Sequence, residues 1–166
     1  MQTVKSALAQ KSGAKPDFTL EPNYGSVRLE TGGLGQKKAT ATGTARLSKG
    51  VSVLASGSVF NDGGQQDIYF PEFATSSPSK GHALNMDGDR GYRLFGDVQI
   101  GNWEFLAFTG TRLKLQPVSW NETVFNDRGT RAIDEHTVVA STWSHPIGSK
   151  KSLKWETSWD RYRYNG

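Results

Sequence analysis

The sequence predicts an all-β chain, an antiparallel up-and-down meander of about seven strands, and three observations predict it. Apolar side chains recur with a period of two rather than 3.6, which places successive residues on opposite faces of a strand. Glycine supplies 19 of the 166 residues, above the usual level of about 7%, as a turn-rich β chain requires. The longest unbroken apolar run, Phe105-Leu106-Ala107-Phe108, has four residues, against the roughly 20 that a membrane-crossing helix needs.

Taken in order, the first strand is expected over about Ser26 to Thr31, where Val27 and Leu29 oppose Arg28 and Glu30. The second is the clearest: Ala39, Ala41, Gly43, Ala45 and Leu47 oppose Lys38, Thr40, Thr42, Thr44 and Arg46. Ser48-Lys49-Gly50 turns the chain, and Val51, Val53, Ala55, Gly57 and Val59 repeat the apolar face against Ser52, Ser56 and Ser58. These two make a hairpin with one oily side and one hydroxyl-lined side. Tyr92, Leu94, Gly96, Val98 and Ile100 alternate with Arg93, Asp97 and Gln99. Gly101-Asn102 is a two-residue hairpin turn signal, after which Trp103, Phe105, Ala107 and Thr109 share a face, with Leu106 and Phe108 blurring it. From His136 to Ser144, Val138 and Val139 compete for the apolar face. The last strand carries Leu153, Trp155, Thr157 and Trp159 against Lys154, Glu156, Ser158 and Asp160.

The connections are asymmetric. Three are tight, at Leu47–Val51, Ile100–Trp103 and Pro146–Ser152, and in a meander they gather at one end. Two long loops, 61–91 and 114–135, gather at the other with the short Gly32–Gly35 connection. Long structureless loops are uncommon in compact soluble domains. Outer-membrane barrels combine tight turns at one end, long loops at the other, and strands of about ten residues apolar towards lipid. Strand length, a polar face suited to a wet lumen, and aromatics near strand ends (Tyr92, Trp103, Trp155, Trp159, Tyr162, Tyr164) favour that architecture over a soluble sandwich. The expected lipid-facing residues are Val51, Val53, Val59, Leu94, Val98, Trp155 and Trp159. Seven up-and-down strands cannot close antiparallel, and a free sheet edge is forbidden in hydrocarbon. The candidate eighth strand, Asp17 to Glu21, is bracketed by Pro16 and Pro22 and is a poor spanning strand. The terminal Asn165-Gly166 is a turn signal with no returning strand. The chain therefore reads as an incomplete segment of a large transmembrane β-barrel, residues 24–166, preceded by a poorly defined segment, 1–23.

Composition narrows the chemistry. The absence of cysteine removes disulfides, thiol nucleophiles and thiolate metal sites. The formal charge of +4 is mild and not gathered in a run, which argues against nucleic acid as partner. Residues 1–10 hold no apolar core long enough for a secretory signal. His82, His136 and His145 form no metal-type pair. Asp87-Gly88-Asp89 hints at a calcium loop, but Val98 stands where a bidentate Glu is required, so a turn entering a strand is expected. Asp134, Glu135 and His136 read as loop-closing polar contacts. Arg46, Arg93 and Arg112 are expected to line a lumen or to pair with Asp97 and Glu104 across strands. No Ser-His-Asp arrangement, phosphate loop or catalytic carboxylate pair is recognisable, so no enzyme, metal or cofactor is expected.

The stretch Asp62 to Phe73 (DGGQQDIYFPEF) resembles the first large outer loop of a group of TonB-dependent outer-membrane receptors. So do Asp87-Gly88-Asp89-Arg90 entering a strand, Thr123-Val124-Phe125-Asn126-Asp127 followed by Thr130-Arg131 and Asp134-Glu135-His136, and the closing Asp160 to Gly166 (DRYRYNG). The resemblance covers about residues 24–166 and implies part of the early barrel of an active transporter in the outer membrane of a Gram-negative type bacterium. A scarce nutrient (siderophore, cobalamin, haem or glycan) would bind outside, and the TonB complex would drive its release inward through parts of the parent not present here. Such barrels have about 22 strands. Tyr69, Phe70, Phe73, Trp120 and Phe125 are the outer-loop candidates for stacking on that nutrient. The competing expectation for them is mutual collapse that stiffens the loops. The rival readings are a small autonomous outer-membrane barrel (an adhesin or pore) and a soluble β-sandwich binding carbohydrate through the same aromatics.

Overall fold

The computed structural model describes residues 23–118 and 124–166. The expected strand at Asp17–Glu21 and the candidate Trp120 lie outside the described residues. The chain is all-β. The strands are β1 (Tyr24–Thr31), β2 (Lys37–Ser48), β3 (Val51–Asp62), β4 (Asp67–Tyr69), β5 (His82–Leu84), β6 (Asp89–Ile100), β7 (Trp103–Leu115), β8 (Arg131–Ile147) and β9 (Lys151–Asn165). Seven of them form one antiparallel sheet in the order β1-β2-β3-β6-β7-β8-β9, while β4 and β5 pair separately. The meander expected from the alternation is present. No helix among the described residues is long and apolar enough to cross a membrane, which says nothing of strands.

The tight connections use the residues such turns demand. Ile100 pairs with Trp103 across Gly101-Asn102, with Gly101 at φ 58°, a conformation that glycine adopts without steric cost. The β2–β3 turn includes a bulge between Arg46 and Ser48, which leaves Leu47 outside the ladder. Neighbouring turns are tied together, since the Gly101 amide donates to the Gly50 carbonyl at 2.8 Å and the Ser144 amide to that of Asn102 at 3.0 Å.

Two expectations need correction. The connections expected at 61–91 and 114–135 shrink to 63–88 and 116–130, because β3, β6, β7 and β8 extend further into them than the alternation suggests. Asp134, Glu135 and His136 accordingly lie within β8 rather than in a loop. The first connection is not structureless either: it carries the β4–β5 hairpin and a 3-10 turn, Pro71–Phe73.

Among the described residues, the buried apolar side chains are Ala83, Met86 and Ala132. Two belong to the β3–β6 connection and the third to the adjoining start of β8. The main sheet buries no apolar side chain among the described residues apart from Ala132. Apart from a 3-10 turn (Gly33–Gly35) against β3, its substantial contacts run between ladder neighbours.

Candidate functional site: an outward apolar band beneath a packed loop body

The pairing register assigns each side chain to a face, because directly opposed residues in an antiparallel ladder point the same way. The first complete row at the tight-turn end is Val51, Ile100, Trp103, Trp143 and Trp155. The next carries Ala45, Val53, Val98, Phe105, Ser141 and Thr157; the third Gly43, Ala55, Gly96, Ala107, Val139 and Trp159. The fourth holds Val27, Gly57, Leu94 and Thr109, and the fifth Leu29, Val59, Tyr92 and Thr111. All seven residues expected to face lipid fall on this one face. Trp143 joins them in the tryptophan row. It was legible in the Val139-Ser141-Trp143 alternation once Val139, and not Val138, is assigned to this side by its partner Ala107.

The apolar face is the more exposed of the two. Along the first half of β7, Trp103, Phe105 and Ala107 are exposed, whereas Glu104, Leu106 and Phe108 on the other face are half-buried. In β6, Leu94 is 51% exposed while Asp97 on the polar face is 9% exposed. A soluble sheet shows the reverse order.

The band's upper edge also slants. On β1 to β6 the apolar residues continue to the fifth row (Leu29, Val59, Tyr92); on β9 they stop at the third (Trp159), giving way to Arg161, and on β7 and β8 they are interrupted after Ala107 and Val139 by Thr109, Thr111, Thr137 and Glu135 before half-buried Leu113 and Ile133 in the sixth row. From Val51 to Val59 the band covers about 27 Å along the strand at roughly 3.3 Å per residue. Inclined by about 40°, as barrel strands are, that is about 21 Å tall, near the ~25 Å apolar belt of membrane barrels.

The opposite face is hydroxyl-rich and charged, with half-buried Leu54, Phe95, Leu106, Phe108 and Val138 among its polar residues. Thr42 and Ser56 share a hydroxyl hydrogen bond of 2.8 Å. His136 Nε2 lies 2.9 Å from Asp160 Oδ1, and the Tyr162 hydroxyl donates to Asp134. Tyr162 and Tyr164 therefore belong to this face and not to an interfacial girdle, since their opposites are His136 and Asp134. The expected pairing of arginines with Asp97 and Glu104 is not observed. Arg112 Nε donates to Asp89 at 2.9 Å and Arg93 sits 5.7 Å from the Phe60 ring centroid. The register explains this, because Arg46 stands three strands away from Glu104 in its row, and Arg93 stands two rows from Asp97.

Above the polar rows the two long connections form one packed body. Phe73 and Phe125 stack at 4.3 Å with an interplanar angle of 11°, and Phe70 meets both rings edge-on. The Leu84 amide donates to Asn126 Oδ1 at 3.0 Å, a second tie between the loops. Met86 and Ala83 are fully buried beneath. Gly64 is required there at φ 67°, because a Cβ would strike the Asp87 carbonyl. Asp87 accepts from the Gln65 amide at 3.0 Å, and Lys114 Nζ donates to the Asp87 carbonyl at 2.8 Å. The Gln65 hydrogen bond first, and Lys114 second, hold the Asp87 carboxyl below its ordinary range. Asp87-Gly88-Asp89 is thus a turn into β6 braced by Lys114 and Arg112. Of the four described loop candidates, Phe70, Phe73 and Phe125 face one another. Tyr69 stands apart, 53% exposed and 5.0 Å from the His82 ring, whose Nδ1 lies 2.9 Å from Asp67.

Comparison with family models, curated proteins and solved structures finds no match to this chain.

Proposed function

We propose that this chain forms part of the wall of an outer-membrane β-barrel, and that its parent is a TonB-dependent receptor that takes up a scarce nutrient. The observation that carries the membrane reading is the inverted exposure: the apolar face, tryptophan row included, turns outward, while the charged face is the more enclosed. In water that arrangement leaves a continuous oily surface; in hydrocarbon it is the stable one. The free edges of β1 and β9 support an incomplete wall, because neither has a second partner among the described residues and lipid provides none. The receptor reading rests on the loop motifs. Within it, the three phenylalanines stiffen the outer loops, and Tyr69 with His82 is the surface offered to a nutrient.

The purified chain tests the membrane reading directly. It should require detergent to stay monodisperse and show no cooperative thermal transition in plain buffer. A sharp transition there, with the tryptophans shielded, overturns the assignment in favour of a sandwich. Growth of a deletion strain of the parent on single iron, cobalamin or glycan sources identifies the nutrient.

A further inference from the structure

The cations of the two faces behave differently. On the polar face most pair with acids, Lys38 with Glu30, Arg112 with Asp89 and Lys114 with Asp87, while Arg93 lies over the Phe60 ring. On the apolar face, the residues just above the band are Lys37 and Arg90 on β2 and β6, and Arg161 and Arg163 on β9, while Arg131 stands higher, in the seventh row at the foot of β8. All five are exposed. Arg163 lies 3.6 Å from Glu135, and the other four make no ion pair among the described residues. The heights of Lys37, Arg90 and Arg161 follow the edge of the band. Lys37 and Arg90 stand in the sixth row, one step above Leu29, Val59 and Tyr92; Arg161 stands in the fourth, one step above Trp159. A solvated charged face has no reason to track the edge of an apolar band. A headgroup layer does, since its phosphates lie at one height above the hydrocarbon whatever the inclination of the strands.

We infer that Lys37, Arg90, Arg161 and Arg163 form a rim that binds the phosphates of anionic lipid headgroups at the long-loop end of the wall. The inference rests on the membrane reading above and adds a lipid preference to it. Guanidinium groups suit phosphate oxygens because they donate two parallel hydrogen bonds. Each cation at a membrane surface contributes about 1 kcal/mol, a factor of about five in lipid affinity.

The test holds the full chain in dodecylphosphocholine micelles doped with brominated lipid and follows tryptophan fluorescence, as Trp103, Trp143, Trp155 and Trp159 all lie on the apolar face. Quenching by brominated phosphatidylcholine reports the membrane reading. Stronger quenching by brominated phosphatidylglycerol at equal mole fraction, weakened by salt, reports the rim. Replacing Arg90 and Arg161 by Gln should reduce the preference by about fivefold for each cation removed, whereas Arg90→Lys with Arg161→Lys should keep most of it. Equal quenching by both lipids overturns the rim and leaves the membrane reading standing. A preference unchanged in the Gln variant also overturns it, by placing the anion affinity elsewhere. Quenching by neither lipid removes the membrane reading and the rim together.

Discussion

The loop body and the sheet beneath it are held together by different physics. The loop body encloses Met86 and Ala83 completely and stacks Phe73 on Phe125, drawing two segments far apart in the chain into one small core. The sheet is held by its ladders and cross-strand contacts, and most of its oily residues lie on the exposed face. The loop body therefore carries its own stabilisation in water. On the proposed membrane reading, the sheet obtains part of its stabilisation from the hydrocarbon around it.

Three changes should separate the two regions. Met86→Ala empties the loop core and should cost about 2–5 kcal/mol. Hydrogen exchange would read this as lost protection at 63–88 and 124–130 with β2 and β3 unchanged, and loss spread evenly over the sheet would show that the regions are one unit. Val53→Arg places a charge in the second row of the apolar face and should impair assembly of the intact parent by about 2–4 kcal/mol. Ser56→Arg, on the polar face, should be mild, and equal damage from both in a detergent unfolding titration would mean the faces are exchanged. The smallest effect is the pH response of the loop body. Asp87 has a lowered carboxyl pKa, so its contribution is complete above the ordinary value of 3.8 and is lost as pH falls below it. Loop protection should thus weaken below about pH 4 and weaken less in Asp87→Asn, the sheet being unaffected.

The sheet was legible in the sequence and the loop body was not, for a physical reason. Alternation records which way a side chain points relative to a continuous medium, so β2, β3 and β6 and their faces follow from Ala39 to Leu47, Val51 to Val59 and Tyr92 to Ile100. Where two apolar residues adjoin, the pattern loses its phase. Val138 and Val139 were separable only through their partners Phe108 and Ala107. Loop packing has no period, since Phe73 meets Phe125 and Leu84 meets Asn126 through tertiary geometry alone. The outer-loop aromatics were visible as a group, but which of them lock together and which stays exposed depended on coordinates.

The slant of the oily band constrains whatever adjoins this sheet. A ribbon hydrogen-bonding alongside Lys151–Asn165 inherits the same offset, so its greasy stretch must begin still nearer the tight-turn rim; one joining Tyr24–Thr31 must be displaced the opposite way. In the proposed membrane wall the staircase sets the phase of neighbouring ribbons, and a partner carrying its nonpolar stretch at the wrong step would drag arginines into oil or strand valines in brine.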